Sequence, residues 1–296
     1  MNALTFPVPP EDEGRSLRDL LRHRLQLSET AIRRAKWDGR LFVNDAPARV
    51  RDVLHAGDLV RYEPPANRPA FIPKPLALEV PVRWRSEELL ILDKPAPLAS
   101  QSGKGHPDDS LENAVFHMLG CPEDFVYRPV NRLDRGTSGL MAVALTAEEQ
   151  ARLQRLLHTE VFRRAYLAVT DGLPPAQSGT VDRPIARAEG ATIRRVCRDD
   201  GRPCVTHYET LETAGNRALL RLRLETGRTH QIRVHLASLG CPVFGDFLYG
   251  RESPLLPGRF ALHSAEIRLP ARNGELVCVD SPLPEELRAL LSPETP

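Results

Sequence analysis

The sequence lacks the features that mark membrane, exported and disulfide-stapled proteins. No apolar run reaches the roughly 18 residues that a membrane-spanning helix needs, and the opening MNALTFPVPPEDEG has neither a basic nor an apolar targeting stretch. The 5 cysteines are odd in number and lack Cys-x-x-Cys spacing, which argues against a disulfide framework and a zinc ribbon. These absences predict a cytoplasmic protein that does not enter a membrane.

The bulk composition is that of an ordinary globular protein. The 296 residues are 41% hydrophobic and 27% charged, and this length suits one large domain or a large domain with a smaller one. The formal net charge is only +1, but residues 14–65 hold 11 Lys or Arg against 7 Asp or Glu. A local excess of positive charge attracts phosphate groups even where the whole chain is nearly neutral.

A proline-rich segment divides the chain. PPANRPAFIPKP contains five prolines, which exclude helix and central strand and predict a semi-rigid linker over residues 64–77. We therefore expect a small module over residues 14–63 and a larger domain over residues 78–292.

The small module is predicted to contain two helices followed by short strands. Ser16 can cap a helix over SLRDLLRHRLQL, and Ser28 can cap a second over SETAIRRAKWDG. The second helix turns apolar residues such as Ile32 inward and projects three cations outward, namely Arg33, Arg34 and Lys36. Strands follow in GRLFVND and GDLVRYE.

This order of elements resembles the S4 RNA-binding domain over nearly all of residues 14–63. A run of cations on a helix more often only marks a face that is exposed to solvent and binds no partner. The surrounding S4-like pattern instead favours RNA contacts by Arg33, Arg34 and Lys36.

The larger domain alternates apolar strands with helical stretches. Strands are predicted in ELLILDKP, LMAVALT, RAYLAVTDG, ALLRLRLETG and RFALHSAEIRLP. The pattern predicts an α+β domain with a large mixed, mostly antiparallel sheet flanked by helices. Thr146 is expected to cap one helix through a capping box with Glu149, and Thr229 to cap another over HQIRVHLASL.

Three polar clusters stand out on this scaffold. They are NRLDRGTSGL at residues 131–140, RRAYLAV, and GRTHQIRVHLASLGCPVFGDFLYG at residues 227–250. Together they resemble the RluA-type pseudouridine synthases over about residues 85 to 290. The resemblance implies a cofactor-free enzyme that isomerises uridine to pseudouridine in structured RNA. It assigns Asp134 as the essential aspartate, Tyr166 as the active-site tyrosine and Arg228 as the arginine that pairs with the aspartate.

A lone carboxylate suits this chemistry. A glycoside hydrolase usually needs two carboxylates, whereas here the detached uracil is kept and rejoined through C5. Asp134 can serve as nucleophile or as base, and an arginine beside it balances its charge. Tyr166 can stack on the uracil drawn out of the RNA. Arg132 and Arg135 are expected to contact RNA phosphates or structural carbonyl groups.

Two positions depart from the family pattern. Asn131 stands where the family usually has histidine before Arg-Leu-Asp, and Arg164 stands where it usually has lysine two residues before the tyrosine. Asn131 leaves open a noncatalytic RNA-binding or ribosome-assembly protein, and a nucleoside hydrolase that releases free uracil is a third alternative. The S4-like module favours large-subunit (23S) ribosomal RNA over transfer RNA as substrate, and a monomer is expected.

Other polar residues have plainer interpretations. The spacing of His230 and His235 argues against a metal site, and these histidines are expected to form hydrogen bonds in the core or toward RNA. Asp246 is expected to secure a turn beside Gly245. Lys94, in LDKPA, could be no more than an exposed strand end.

Overall fold

The chain folds as two compact units, Met1–Pro69 and Ala70–Pro296. The computed structural model describes residues 3–25, 27, 29–63, 71–157 and 159–292. Ser28 and residues 64–70 of the predicted linker lie outside the described residues. Within the described ranges, no helix is long and apolar enough to cross a membrane.

The first unit contains four strands and two α-helices, namely β1 (Leu4–Pro7), α1 (Leu17–His23), α2 (Glu29–Trp37), β2 (Leu41–Val43), β3 (Ala46–Pro47) and β4 (Leu59–Tyr62). The strands form one antiparallel sheet in the order β1-β4-β2-β3. The predicted cap at Ser16 is confirmed, since its hydroxyl accepts a hydrogen bond from the Asp19 backbone N–H at 3.2 Å. On α2, Ile32 and Ala35 are buried in the small core.

The strands of the second unit are β5 (Val82–Arg85), β6 (Leu89–Lys94), β7 (Ser138–Ala144), β8 (Arg163–Asp171), β9 (Ser178–Asp182), β10 (Ile185–Arg187), β11 (Arg195–Cys197), β12 (Val205–Ala214), β13 (Arg217–Leu224), β14 (Leu262–Pro270) and β15 (Leu276–Asp280). Nine of them form a sheet in the order β5-β6-β7-β14-β8-β13-β12-β9, with β15 paired to β14. Its helices are α3 (Leu111–Met118), α4 (Ala147–Leu156), α5 (Gln231–Ser238) and α6 (Glu285–Arg288). Strands β10 and β11 form a separate hairpin.

The β7–β14 pair of the large sheet is parallel, and its other strand pairs are antiparallel. The predicted α+β architecture with a mixed, mostly antiparallel sheet is therefore confirmed. Strands β6 and β7 are covered on both faces, because alternate residues of each strand belong to two different apolar clusters. This explains why ELLILDKP and LMAVALT are continuous apolar runs.

The described part of the predicted linker is attached to the second unit. The side-chain amide of Asn113, on α3, donates to the carbonyl of Lys74 at 2.9 Å. The backbone N–H of Leu76 donates to the carbonyl of Asn113 at 3.2 Å. Residues 74–76 thus lie against α3.

Gly139 allows the close approach of β7 to β14. Its φ of +104° is unfavourable for other residues, and a Cβ at this position would lie 2.3 Å from the Ser264 carbonyl oxygen. A side chain here would therefore push apart the parallel strand pair that follows the Asp134 loop.

We expect Gly139→Ala to lower the free energy of unfolding by about 3 kcal/mol, because overpacking and backbone strain act together. Denaturant titration of the purified protein measures this change. The control is Gly103→Ala, where an added Cβ meets no atom within 4 Å. Equal stability of the two variants would show that the close approach at Gly139 is not a constraint.

Candidate active site

The three polar clusters meet in one cleft of the second unit. This central cleft has a volume of about 610 Å³, within the range of small-ligand sites. Its lining includes Asp134 from the loop before β7, Tyr166 from β8, Arg228 and His230 from the loop before α5, and Arg233 from α5. The sheet and α5 thus bring together residues nearly 100 positions apart in the chain.

The carboxylate of Asp134 is held by Arg233. Nη1 of Arg233 donates to Oδ2 of Asp134 at 2.9 Å. The Asp134 side chain is 28% exposed, whereas that of Arg233 is only 3% exposed. The ion pair therefore has a buried cation and an anion that the cleft can reach.

The predicted ion pair between Arg228 and Asp134 is wrong. Arg228 is exposed in the cleft wall, and its Nε donates to the carbonyl of Pro203 at 3.3 Å. Arg228 precedes α5, whereas Arg233 lies inside it, and the helix directs Arg233 to the buried side of the Asp134 loop.

Arg233 is itself anchored by Asp246. Nε and Nη2 of Arg233 donate to the two oxygens of Asp246 at 2.7 and 2.8 Å, the parallel geometry that a guanidinium allows. Asp246 is fully buried, and its Oδ1 also accepts hydrogen bonds from the backbone N–H groups of Leu248 and Tyr249. The predicted turn at Asp246 is confirmed, but this residue also fixes the arginine that binds Asp134.

The arginine is charged and confined. Burial is the largest single influence and lowers the pKa of Arg233, but its bonds to Asp246 and Asp134 together raise this pKa above the ordinary value. The guanidinium carbon lies 4.2 Å from the ring centre of Phe260 and 5.0 Å from that of Tyr249. Two carboxylates and two rings thus fix the position of this cation.

His230 occupies a strained position beside the carboxylate. Its φ of 59° is rare for a residue other than glycine, and its Nε2 lies 3.9 Å from Oδ2 of Asp134. Its Nδ1 is 2.8 Å from the Tyr249 hydroxyl oxygen, which accepts the backbone N–H of Arg195. Burial lowers the pKa of His230, which favours the neutral imidazole, while Asp134 acts in the opposite direction.

The predicted cap at Thr229 is wrong. Helix α5 begins at Gln231, and the capping position is held by His230, whose side chain makes no capping hydrogen bond. The side chain of Gln231 instead accepts the backbone N–H of Arg228 at 2.9 Å. This bond closes the loop that presents Arg228, Thr229 and His230 to the cleft.

Tyr166 lies in the floor of the cleft. It is only 4% exposed, and its backbone pairs with Ser264 of β14 and Leu222 of β13. Strands on both sides therefore fix where this ring stands.

The other predicted RNA contacts occupy exposed positions. Arg132 and Arg135 flank Asp134 and are exposed, and Arg132 lines the cleft. In the first unit, Arg33, Arg34 and Lys36 are exposed on α2. Asn131 is buried, with its side-chain oxygen bound to the Ala142 N–H, while its amide nitrogen has no partner among the described residues.

Lys94 is a buried cation beneath the Asp134 loop. Its Nζ donates to the carbonyl groups of Pro95 and Leu98 at 3.0 and 2.8 Å. Leu98 in turn donates its backbone N–H to the carbonyl of Arg135 at 3.0 Å, which ties this turn to the loop that carries Asp134. The side chain is fully buried, so the interpretation of Lys94 as an exposed strand end is wrong.

Burial lowers the pKa of Lys94 from 10.5 to about 7, with further lowering by Arg259 and Arg135 and an opposing effect of Asp134. The cation is thus held by carbonyl groups in a site that disfavours its charge.

Comparison with known proteins shows that this chain has clear relatives. The family model described as RNA pseudouridylate synthase matches residues 88–238, which include Asp134, Tyr166 and Arg233. Ribosomal large subunit pseudouridine synthase D of Xanthomonas campestris pv. campestris is 36% identical over 280 aligned positions, covering 88% of this chain and 83% of that protein. The protein of the same name from Pseudomonas aeruginosa is 35% identical over 307 positions, covering 96% and 93%.

The fold has a solved counterpart as well. The structure of human RNA pseudouridylate synthase domain containing 1 superimposes with a TM-score of 0.58 at 27% identity, covering 74% of this chain and 86% of that one. Among the described residues, no cluster of three or more His, Cys, Asp or Glu side chains is placed to hold a metal ion.

We expect the stability contributed by Lys94 to depend on pH. Its pKa is about 7 in the folded chain and 10.5 ordinarily, so the unfolded chain binds more protons between these values and stability rises with pH there. Relative to Lys94→Met, the free energy of unfolding of the unaltered protein should increase by about 2 kcal/mol from pH 7 to pH 9. Denaturant titrations across this range measure the difference, with Lys104→Met at an exposed lysine as control. A difference that stays constant with pH would contradict the assignment.

Proposed function

Because the chain belongs to the RNA pseudouridylate synthase family, it isomerises uridine to pseudouridine in RNA, and we propose that Asp134 carries this reaction. One observation supports the choice above others. Asp134 is the one acid among the described residues that line the central cleft. Arg233 binds its Oδ2, while Oδ1 accepts no hydrogen bond from the described residues and is free to act on a substrate.

The isomerisation requires the cleft to assist the breaking and forming of bonds and the transfer of a proton. The bond between C1′ and N1 breaks, the uracil turns, C5 bonds to C1′, the C5 proton leaves and N1 gains a proton. Asp134 acts at the sugar or the base as nucleophile or as proton acceptor. Arg233 balances its charge and fixes its orientation, so the carboxylate meets the substrate without rearranging.

The remaining cleft residues bind the extruded nucleotide. Tyr166 provides a ring on which the flipped uracil stacks, which offsets part of the cost of unstacking it. Arg228 acts at the cleft wall on the reacting nucleotide, while Arg132 and Arg135 bind backbone phosphates on either side of it. Asp134 is thus the reacting group, Tyr166 is the stacking surface, and Arg228 is the cation that positions the nucleotide.

The substrate is 23S ribosomal RNA of the large subunit in preference to transfer RNA. Relatives that cover most of the chain carry the name ribosomal large subunit pseudouridine synthase D. Residues 14–63 act as an S4-like RNA-binding domain through Arg33, Arg34 and Lys36, residues 64–77 as the linker, and residues 78–292 as the catalytic domain. The enzyme works as a cytoplasmic monomer.

We expect Asp134→Asn to abolish pseudouridine formation while RNA affinity changes little, because the amide keeps the shape but can neither attack nor accept a proton. Pseudouridine and free uracil are measured in the same reaction, and binding in a filter or gel assay. Near-normal turnover by the variant would remove Asp134 from the mechanism. Free uracil from the unaltered protein would indicate a hydrolase, and RNA binding without either product would indicate the noncatalytic alternative.

We expect Arg233→Lys to slow a single turnover by on the order of 100-fold, because the single nitrogen of a lysine cannot reproduce the planar fork that reaches both oxygens of Asp246 and Asp134 at once, and a misplaced carboxylate loses its alignment. The matched comparison is Arg228→Lys, which preserves the Arg233 bonds and should slow turnover less. A larger loss from Arg228→Lys would reverse the roles given to the two arginines.

A further inference from the structure

Trp37 ends α2 of the first unit and turns its indole to solvent. It is 77% exposed, the highest exposure among the large apolar side chains that the structure describes. The core side of the same helix holds Ile32 and Ala35, both buried. Trp37 therefore contributes little to the core, and this large ring is available to a partner.

The ring lies among cations. Arg33 and Arg34 precede it by four and three residues, the spacing that places helical side chains on one face. The Lys36 Nζ lies 5.3 Å from the centre of the Trp37 ring. An exposed aromatic ring bordered by cations is the combination that binds nucleic-acid strands, with the ring against a base and the cations against phosphates.

We propose that Trp37 is a stacking platform for an unpaired base of the RNA substrate, held there by Arg33, Arg34 and Lys36. The inference rests on the RNA-binding role proposed for the first unit and goes beyond it by naming the kind of nucleotide bound. A paired base is stacked inside its helix and offers no free face, whereas a base in a loop, a bulge or an end does. An apolar protein surface would have to remove water from three cations without replacing it, whereas phosphates supply opposite charge.

Fluorescence of Trp37 tests the contact directly. Trp84 is the other of the 2 tryptophans and is half-buried in the second unit, so Trp84→Phe leaves Trp37 as the reporter. In this full-length variant, titration with a 23S ribosomal RNA fragment that contains unpaired loops should quench the indole emission. A fully paired duplex of equal length should quench it much less.

Affinity measurements separate stacking from charge. Trp37→Ala should weaken binding of the looped RNA by about 10-fold, as expected for one stacked base, and Trp37→Phe should retain most of the affinity. The salt dependence should stay the same in Trp37→Ala, because no phosphate-binding charge is lost. Alanine at Arg33, Arg34 and Lys36 together should flatten it.

Quenching that is absent at saturating RNA, or equal for loop and duplex, would overturn the proposal. So would unchanged affinity of Trp37→Ala, an outcome that leaves the ring to a protein partner. These binding results do not depend on turnover, so a failure of the catalytic assignment, seen as absence of pseudouridine, is distinguishable from a failure of the stacking assignment. Denaturant titration of Trp37→Ala checks that the variant keeps its fold, which is expected because the side chain is exposed.

Discussion

The candidate site depends on one guanidinium shared between two carboxylates. Arg233 places two donors on the buried Asp246 and a third on Asp134. A buried charge with no partner is strongly destabilising, so the enclosed Arg233 and Asp246 require each other. The three side chains differ in exposure, because Asp246 and Arg233 are buried whereas Asp134 is partly exposed in the cleft. Asp246 holds the arginine, and the arginine holds the carboxylate that faces the cleft.

This arrangement links the architecture of the sheet to the chemistry. The Asp134 loop leads into β7, which can pair with β14 only because Gly139 lets the backbones approach. Strand β14 in turn pairs with β8 and fixes Tyr166 in the cleft floor. The carbonyl groups around Lys94 connect the end of β6 to the same loop. Strand packing thus determines where the carboxylate and the tyrosine ring stand.

The motifs predicted which residues line the cleft better than they predicted the residues that hold them in place. Asp134 and Tyr166 stand in long, distinctive runs, and the strands around them are marked by apolar sequence. Arg233 lies in a helix, where an arginine is expected to face solvent, and Asp246 beside Gly245 predicts only a turn. Arg233 and Asp246 are 13 residues apart, so neither segment by itself predicts that they pair. The pairing could have been suggested by taking the two segments together, since HQIRVH places an arginine before the helix end and GDFLYG places an acid after it.

The charges of the cleft explain how a lone acid can work in an enzyme that binds a polyanion. Burial lowers the pKa of His230 and so favours its neutral form, and the charges around Asp134 include Arg233, which Asp246 fixes in place, and the exposed Arg132 and Arg228 of the cleft lining. Under the proposed function, RNA phosphates are attracted to exposed cations of the cleft lining, such as Arg132 and Arg228, and are repelled by the carboxylate of Asp134. The group that can approach Asp134 without this repulsion is an uncharged one, the sugar and base of a nucleotide turned out of the strand. On this proposal, the same distribution of charge binds the RNA backbone at the edge of the cleft and admits only the reacting nucleoside to its interior.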